Sequence, residues 1–87
     1  MKIEEAPHGI NVVLETPGTI YIGRFDNSNG FQVLLHDCAI KQLGEGEDGE
    51  AFVKQTAKYG IPVDQRDVMV EAASVQRVRL LGDIEHD

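Results

Sequence analysis

Two turn signals, Pro17-Gly18 and Asn29-Gly30, cut the first half of this chain into three short apolar segments. Proline presets φ for a turn and glycine accepts positive φ, so each signal ends one extended segment and turns the chain into the next. Between the turns, apolar residues alternate instead of recurring at helical spacing. In residues 10–16, Ile10, Val12 and Leu14 fall on one side and Asn11 and Glu15 on the other, the period of a half-buried strand. Residues 19–25 predict a second strand, with Ile20 and Ile22 on one face and Tyr21 and Phe25 on the other. Its Gly23 marks a bend or a close backbone approach. Residues 26–30, Asp-Asn-Ser-Asn-Gly, predict a loop that ends in a hairpin signal. Residues 31–38 predict a third strand, apolar on both faces, with Phe31, Val33 and Leu35 against Leu34.

The second half is punctuated differently. Residues 44–50 are glycine-rich and acidic, the composition of a flexible loop. Residues 50–59 fit a helix with Phe52, Thr56 and Tyr59 on one side, Asp48 as its cap and Gly60 as its end. Extension of the third strand into a long hairpin accounts for the same residues, and the sequence leaves both open. Ile61-Pro62 interrupts regular structure. Residues 67–72 predict a fourth strand with Val68 and Val70 inward, Ala73-Ser74 a corner, and residues 75–81 a fifth strand with Val78 and Leu80 opposite Arg77 and Arg79. Residues 1–9, broken by Pro7 and Gly9, and residues 83–87 are expected as frayed tails of one domain spanning 1–87. The predicted fold class is mainly β: five short antiparallel strands in a strongly bent sheet or small barrel, with a long excursion between the third and fourth.

At 87 residues, such a chain buries about 60–65% of the surface its unfolded form exposes, a thin margin for one core. Cys38 is the single cysteine, so no disulfide reinforces the monomer, and partner subunits are the remaining common device. A bent sheet has edge strands to be paired or protected, and the last two strands carry few blocking features in their centres. Pairing those edges between copies, head to tail, closes a ring. A net charge of −7 from 15 acidic and 8 basic residues argues against tight, non-specific binding of nucleic acid. No apolar run approaches the ~18–20 residues of a membrane span, and the first residues lack the apolar stretch of a signal peptide. A cytoplasmic location, away from membranes, is expected.

Chemistry-bearing patterns are few. His8, His36 and His86 have no ligand spacing, and the adjacent His36-Asp37-Cys38 side chains alternate faces in a strand. Neither the acidic residues 45–50 nor residues 26–30 have the ordered oxygens of a calcium loop. Neither a metal nor a cofactor is therefore expected. Cys38 and His36, at i and i+2, share a strand face and are the one nucleophile–base pair close in sequence. No oxyanion-type or phosphate-binding glycine segment accompanies them, so no enzymatic activity is expected. The loop before the third strand is the most suggestive element, offering Asp26, Asn27 and Asn29, then Phe31 and Gln32. An exposed aromatic beside an amide stacks a base and reads its edge. The competing reading makes Phe31 core and gives the amides to the turn.

Together these segments resemble the Sm/LSm family of ring-forming, RNA-associated proteins, as a divergent and phage-borne kind of member. "VVLETPGTIYIGRF" is similar to the family's first motif, "FQVLLHDC" resembles the end of its third strand, and "DVMVEAASVQRVRLL" sits where its shorter second motif belongs. The resemblance covers residues 10–43 and 66–82. It implies a bent five-stranded, SH3-like barrel and a homo-oligomeric ring in which the fourth strand of one subunit pairs with the fifth of the next. It also implies a pore-facing loop for short single-stranded RNA in RNA metabolism. Phe31 then falls at the stacking position and Gln32 at the base-reading one, with Asn29, Asp26 and Asn27 around them. The chain departs from the family at Glu71-Ala72, where an RNA-holding arginine and a glycine are usual. That departure, the missing N-terminal helix and the acidic charge give the alternative: an acidic structural ring that binds a protein partner and no RNA.

Overall fold

In a computed structural model, which describes residues 2–85, the chain forms a single five-stranded antiparallel sheet and one α-helix among those residues. The strands are β1 (Asn11–Thr16), β2 (Thr19–Ser28), β3 (Gln32–Gln42), β4 (Gln65–Glu71) and β5 (Arg77–Leu80), and the helix is α1 (Glu50–Tyr59). They lie in the order β4-β3-β2-β1-β5, so β4 and β5 are the two outer strands and no pairing between them closes the sheet. A 3₁₀ turn, Ala72–Ser74, connects these two and occupies the corner expected at Ala73-Ser74.

The alternation read from the sequence sets the inner faces. Val12 and Leu14 from β1, Phe25 from β2, Val33, Leu35 and Cys38 from β3, Val68 and Val70 from β4 and Val78 from β5 form one core. Ile3 and Ala6 are buried in the same core through a 3₁₀ turn at Ile3–Glu5, so the segment expected as a frayed tail is docked. On the other face a smaller core joins Val13, Ile20 and Ile22 to Val53 of α1 and to Leu81. Ile84 packs against it. His86 and Asp87 lie outside the described residues.

Two expectations are corrected and one open alternative is decided. Asp26, Asn27 and Ser28 do not form a loop: β2 continues through them, with register shifts between Ile22 and Arg24 and between Phe25 and Asn27. The connection to β3 is thereby reduced to residues 29–31. Phe31, grouped with Val33 and Leu35 by parity, is 80% exposed because it precedes the first residue of β3 and projects beyond the sheet. Residues 50–59 are a helix and not a hairpin, but Tyr59 is exposed, and Val53 with Thr56 makes the buried stripe.

Helix α1 is positioned from both ends of its first turn. Gly49 takes the cap position at φ +74° in place of Asp48, whose Oδ1 accepts the Glu50 N–H at 3.2 Å. The Glu50 carboxylate receives Arg79 Nη2 at 2.6 Å, while Arg79 Nε donates to Glu15 Oε2 at 3.2 Å. One guanidinium thus joins α1 to β1 and β5, with a fork geometry a lysine lacks. Leaving water works against the charge on Arg79, but the bonds to Glu50 and Glu15 outweigh it and raise its pKa; the same contact lowers that of Glu50. Full burial of Val53 contributes about 1.5–3 kcal/mol to holding the helix down. At the other end Gly60 N–H closes on Thr56 O at 2.9 Å.

Gly49 and Gly46 both have positive φ, +74° and +79°, but they differ in surroundings. A Cβ at Gly49 would collide with Ile20 Cδ1 and reach 3.0 Å from Leu43 Cδ2, whereas one at Gly46 meets nothing within 4 Å. Urea denaturation should therefore show Gly46→Ala costing about 1–2 kcal/mol, the left-handed penalty alone. Gly49→Ala should cost about 1–3 kcal/mol more, from overpacking between α1 and β2. Equal losses would mean that crowding at Gly49 is relieved without cost.

Candidate functional site

The β2–β3 connection is short, polar and internally bonded. Asn29 Oδ1 accepts the N–H of Phe31 at 2.9 Å and that of Gln32 at 2.8 Å, and Asn29 N–H donates to Gln32 O at 3.2 Å. Gly30 supplies φ +90°, which an asparagine-glycine turn requires. On the far side Phe31 O accepts the N–H of Ala72 at 2.8 Å, tying the turn to the end of β4. The ring of Phe31 therefore stands in solvent on a backbone held at both flanks. A pre-positioned aromatic loses little conformational freedom when a flat ligand stacks on it.

The five expected site residues do not all converge. Phe31, Gln32 and Asn29 lie together at the turn, with Phe31 and Gln32 exposed and the Asn29 side-chain oxygen committed to the backbone. The Asn29 amide stabilises the turn, and Phe31 lies outside the core. Asn27 is exposed in β2, across from Leu34. Asp26 is half-buried and engaged elsewhere, accepting from His36 Nε2 at 2.7 Å. Gln32 faces Glu71 in the β3–β4 register, so a carboxylate adjoins the turn.

Two of the histidines that have no spacing in sequence, His8 and His36, converge on Asp26. His36 Nδ1 lies 2.7 Å from Asp67 Oδ1 as well, and His8 Nδ1 lies 2.8 Å from the Asp26 backbone oxygen and 3.4 Å from its Oδ1. Hydrogen bonds to Asp26 and then to Asp67 hold the His36 pKa above its ordinary value, against the smaller cost of leaving water. Sequence reasoning misses Asp67, which lies 31 positions from His36 and joins it only through β3–β4 pairing. Arg24, opposite His36 in register, donates to Asp37 Oδ2 at 3.1 Å. No group of three or more His, Cys, Asp or Glu among the described residues is arranged to hold a metal ion.

The expected shared face of His36 and Cys38 is overturned. The β2–β3 register passes from Ile22↔Ala39 to Arg24↔His36, so β3 carries one extra residue there, and Asp37 takes φ +49°. This bulge breaks the strand's alternation. Cys38 turns into the core while His36 stays on the polar side. A second surface feature, a shallow groove along β5, is lined by Arg77 and Arg79 together with Lys54 of α1 and Asp83 and Glu85. No helix among the described residues is long and apolar enough to cross a membrane. Compared with known protein families and with curated protein sequences, the chain matches none.

Burial, with a small contribution from the Asp64 charge and some relief from the Ile22 backbone, pushes the Cys38 thiol up to about 11. The thiolate is the reactive form. Iodoacetamide at pH 8 should therefore leave native protein unlabelled by mass spectrometry, and label it fully in denaturing urea. Rapid native labelling would show that β3 opens at its bulge.

Proposed function

We propose that this chain is an Sm-like ring protein, cytoplasmic, whose β2–β3 turn holds short single-stranded RNA. The observation that carries the reading is Phe31: it is 80% exposed beside Gln32, on a turn clamped by Asn29. Stacking accepts any base, because every base has a flat face, and an adjacent amide adds preference through its edge. The outer strands support the oligomeric half of the proposal. β4 and β5 lie at opposite ends of the strand order, each with an open side. β4 carries Arg66, Asp67 and Glu71 with Met69, 54% exposed, and β5 carries Arg77 and Arg79, which Glu15 and Glu50 already hold, so the two outer strands differ in charge and Met69 adds apolar surface to the open edge. In this reading the sheet curls into a barrel and copies join β4 to β5, head to tail, until the ring closes.

A second reading rests on Glu71. Its carboxylate faces Gln32 across the β3–β4 register, next to the proposed base site, where it repels phosphate. With a net charge of −7, this favours a ring that docks a protein surface instead. Phe31 would then be a hydrophobic anchor for that partner.

Two measurements test the proposal. Analytical ultracentrifugation at micromolar concentration should give a single species several times the chain mass; a monomer removes the ring. Fluorescence anisotropy with labelled oligo-uridine and oligo-adenine should show saturable binding at physiological salt. Phe31→Ala should weaken it by about 1–3 kcal/mol, roughly 5- to 150-fold in Kd. Binding unaffected by this substitution would remove Phe31 from the site. A ring that binds neither oligonucleotide would favour the protein-docking reading.

A further inference from the structure

The polar cluster around His36 is not used by the turn, and only Asp67 among its members also lies on the outer strand β4. It draws on four parts of the chain: His8 ahead of β1, Arg24 and Asp26 of β2, His36 and Asp37 of β3, and Asp67 of β4, next to Arg66. His36 is its hub, with 28% of the side chain exposed and carboxylate oxygens 2.7 Å from each ring nitrogen. An ionised carboxylate only accepts hydrogen bonds, and a neutral imidazole has one N–H and one acceptor nitrogen. Both contacts are hydrogen bonds only when the ring carries two protons. In the neutral ring one nitrogen lone pair faces a carboxylate oxygen, and that side is repelled.

We propose that His36 is a proton-operated clip between Asp26, at the base of the β2–β3 turn, and Asp67, on the outer strand β4. Protonated, it closes three strands together; neutral, it keeps one carboxylate and releases the other. The neighbouring charges fit this role. Arg24 is occupied by Asp37 at 3.1 Å and does not compete for Asp26 or Asp67 among the contacts described. His8, largely exposed, approaches Asp26 from the N-terminal side, so Asp26 faces two imidazoles while Asp67 faces one. Asp67, with 74% of its side chain exposed against 29% for Asp26, is the carboxylate that water more readily takes over, so the half joined to β4 is the one that opens. The sign follows from the raised pKa: the clip's contribution is complete below 6.5 and is lost as pH rises through the higher folded-state value. Mild acidification thus fastens the outer strand, and mild alkalinity leaves Asp67 as a bare carboxylate on it.

Nuclear magnetic resonance of the full chain, titrated between about pH 5 and 9, tests this directly. The assigned His36 ring should titrate above 6.5, and the backbone amides of Asp26 and Asp67 should shift with the same midpoint. Asp67→Asn should lower that midpoint and abolish the response along β4 while leaving the response at Asp26. His36→Gln should abolish both. A midpoint at or below 6.5, or a titration that moves the amides of neither carboxylate, would overturn the clip. A titration that moves Asp26 but not Asp67 would also overturn it. The wild-type and Asp67→Asn titrations decide the matter even where His36→Gln does not fold, and neither depends on RNA binding or ring formation.

Discussion

Where β2 passes β3 at Gly23, the two backbones come close enough that a side chain would crowd β3. A Cβ there would lie 3.0 Å from His36 O and 3.1 Å from Cys38 Cα, so the backbone of β3 would have to give by a few tenths of an ångström. The extra residue in β3 sits at this crossing, with Asp37 at φ +49°, and the two irregularities depend on each other. Their joint effect is a change of parity along β3. Before the bulge, Val33 and Leu35 face the main core; after it Cys38 does, and His36 is left on the polar side between Asp26 and Asp67. The packing of the first core and the composition of the charged cluster follow from one inserted residue and one absent side chain.

The second organising contact is the Arg79 fork. It draws the first turn of α1 onto β1 and β5, and so brings Val53 over Val13, Ile20 and Ile22. Burial on both faces explains why β1 is more apolar than alternation alone requires: Val12 and Leu14 serve one core and Val13 the other. The helix covers the sheet over Val13 of β1 and Ile20 and Ile22 of β2, while farther along β2 and across β3 and β4 the same face carries Arg24, His36 and Asp67.

The strands were legible because their signals are local. Pro17-Gly18 and Asn29-Gly30 mark true reversals, and the Val78/Leu80 against Arg77/Arg79 alternation survives in β5. The helix was ambiguous because Phe52, Thr56 and Tyr59 make only a sparse apolar stripe, and Val53, which holds the helix down, gains a face to cover only in the folded sheet. The composition of residues 26–28 reads as loop, yet β3 offers partners for Asn27 and Ser28, and pairing overrode propensity. Phe31, Gln32 and Asn29 were found as a group because they are neighbours in sequence. The His36 cluster was not, since its members join through strand register and a bulge, neither of which leaves a mark in the order of residues.

The β1–β5 pairing also shapes how the chain reaches this structure. Arg79 and Glu15, bonded to each other, lie 64 positions apart, and β5 is synthesised after every other strand described here. Until it arrives, β1 is paired with β2 alone and presents an unfilled edge, at the large loop-closure cost that slows non-local sheets. During that interval the gap is open to the strand of a second molecule as well, which at high local concentration competes with the tethered β5 of the same chain. The nascent fold is thus open to strand exchange, and crowding at the site of synthesis would raise the share of intertwined chains.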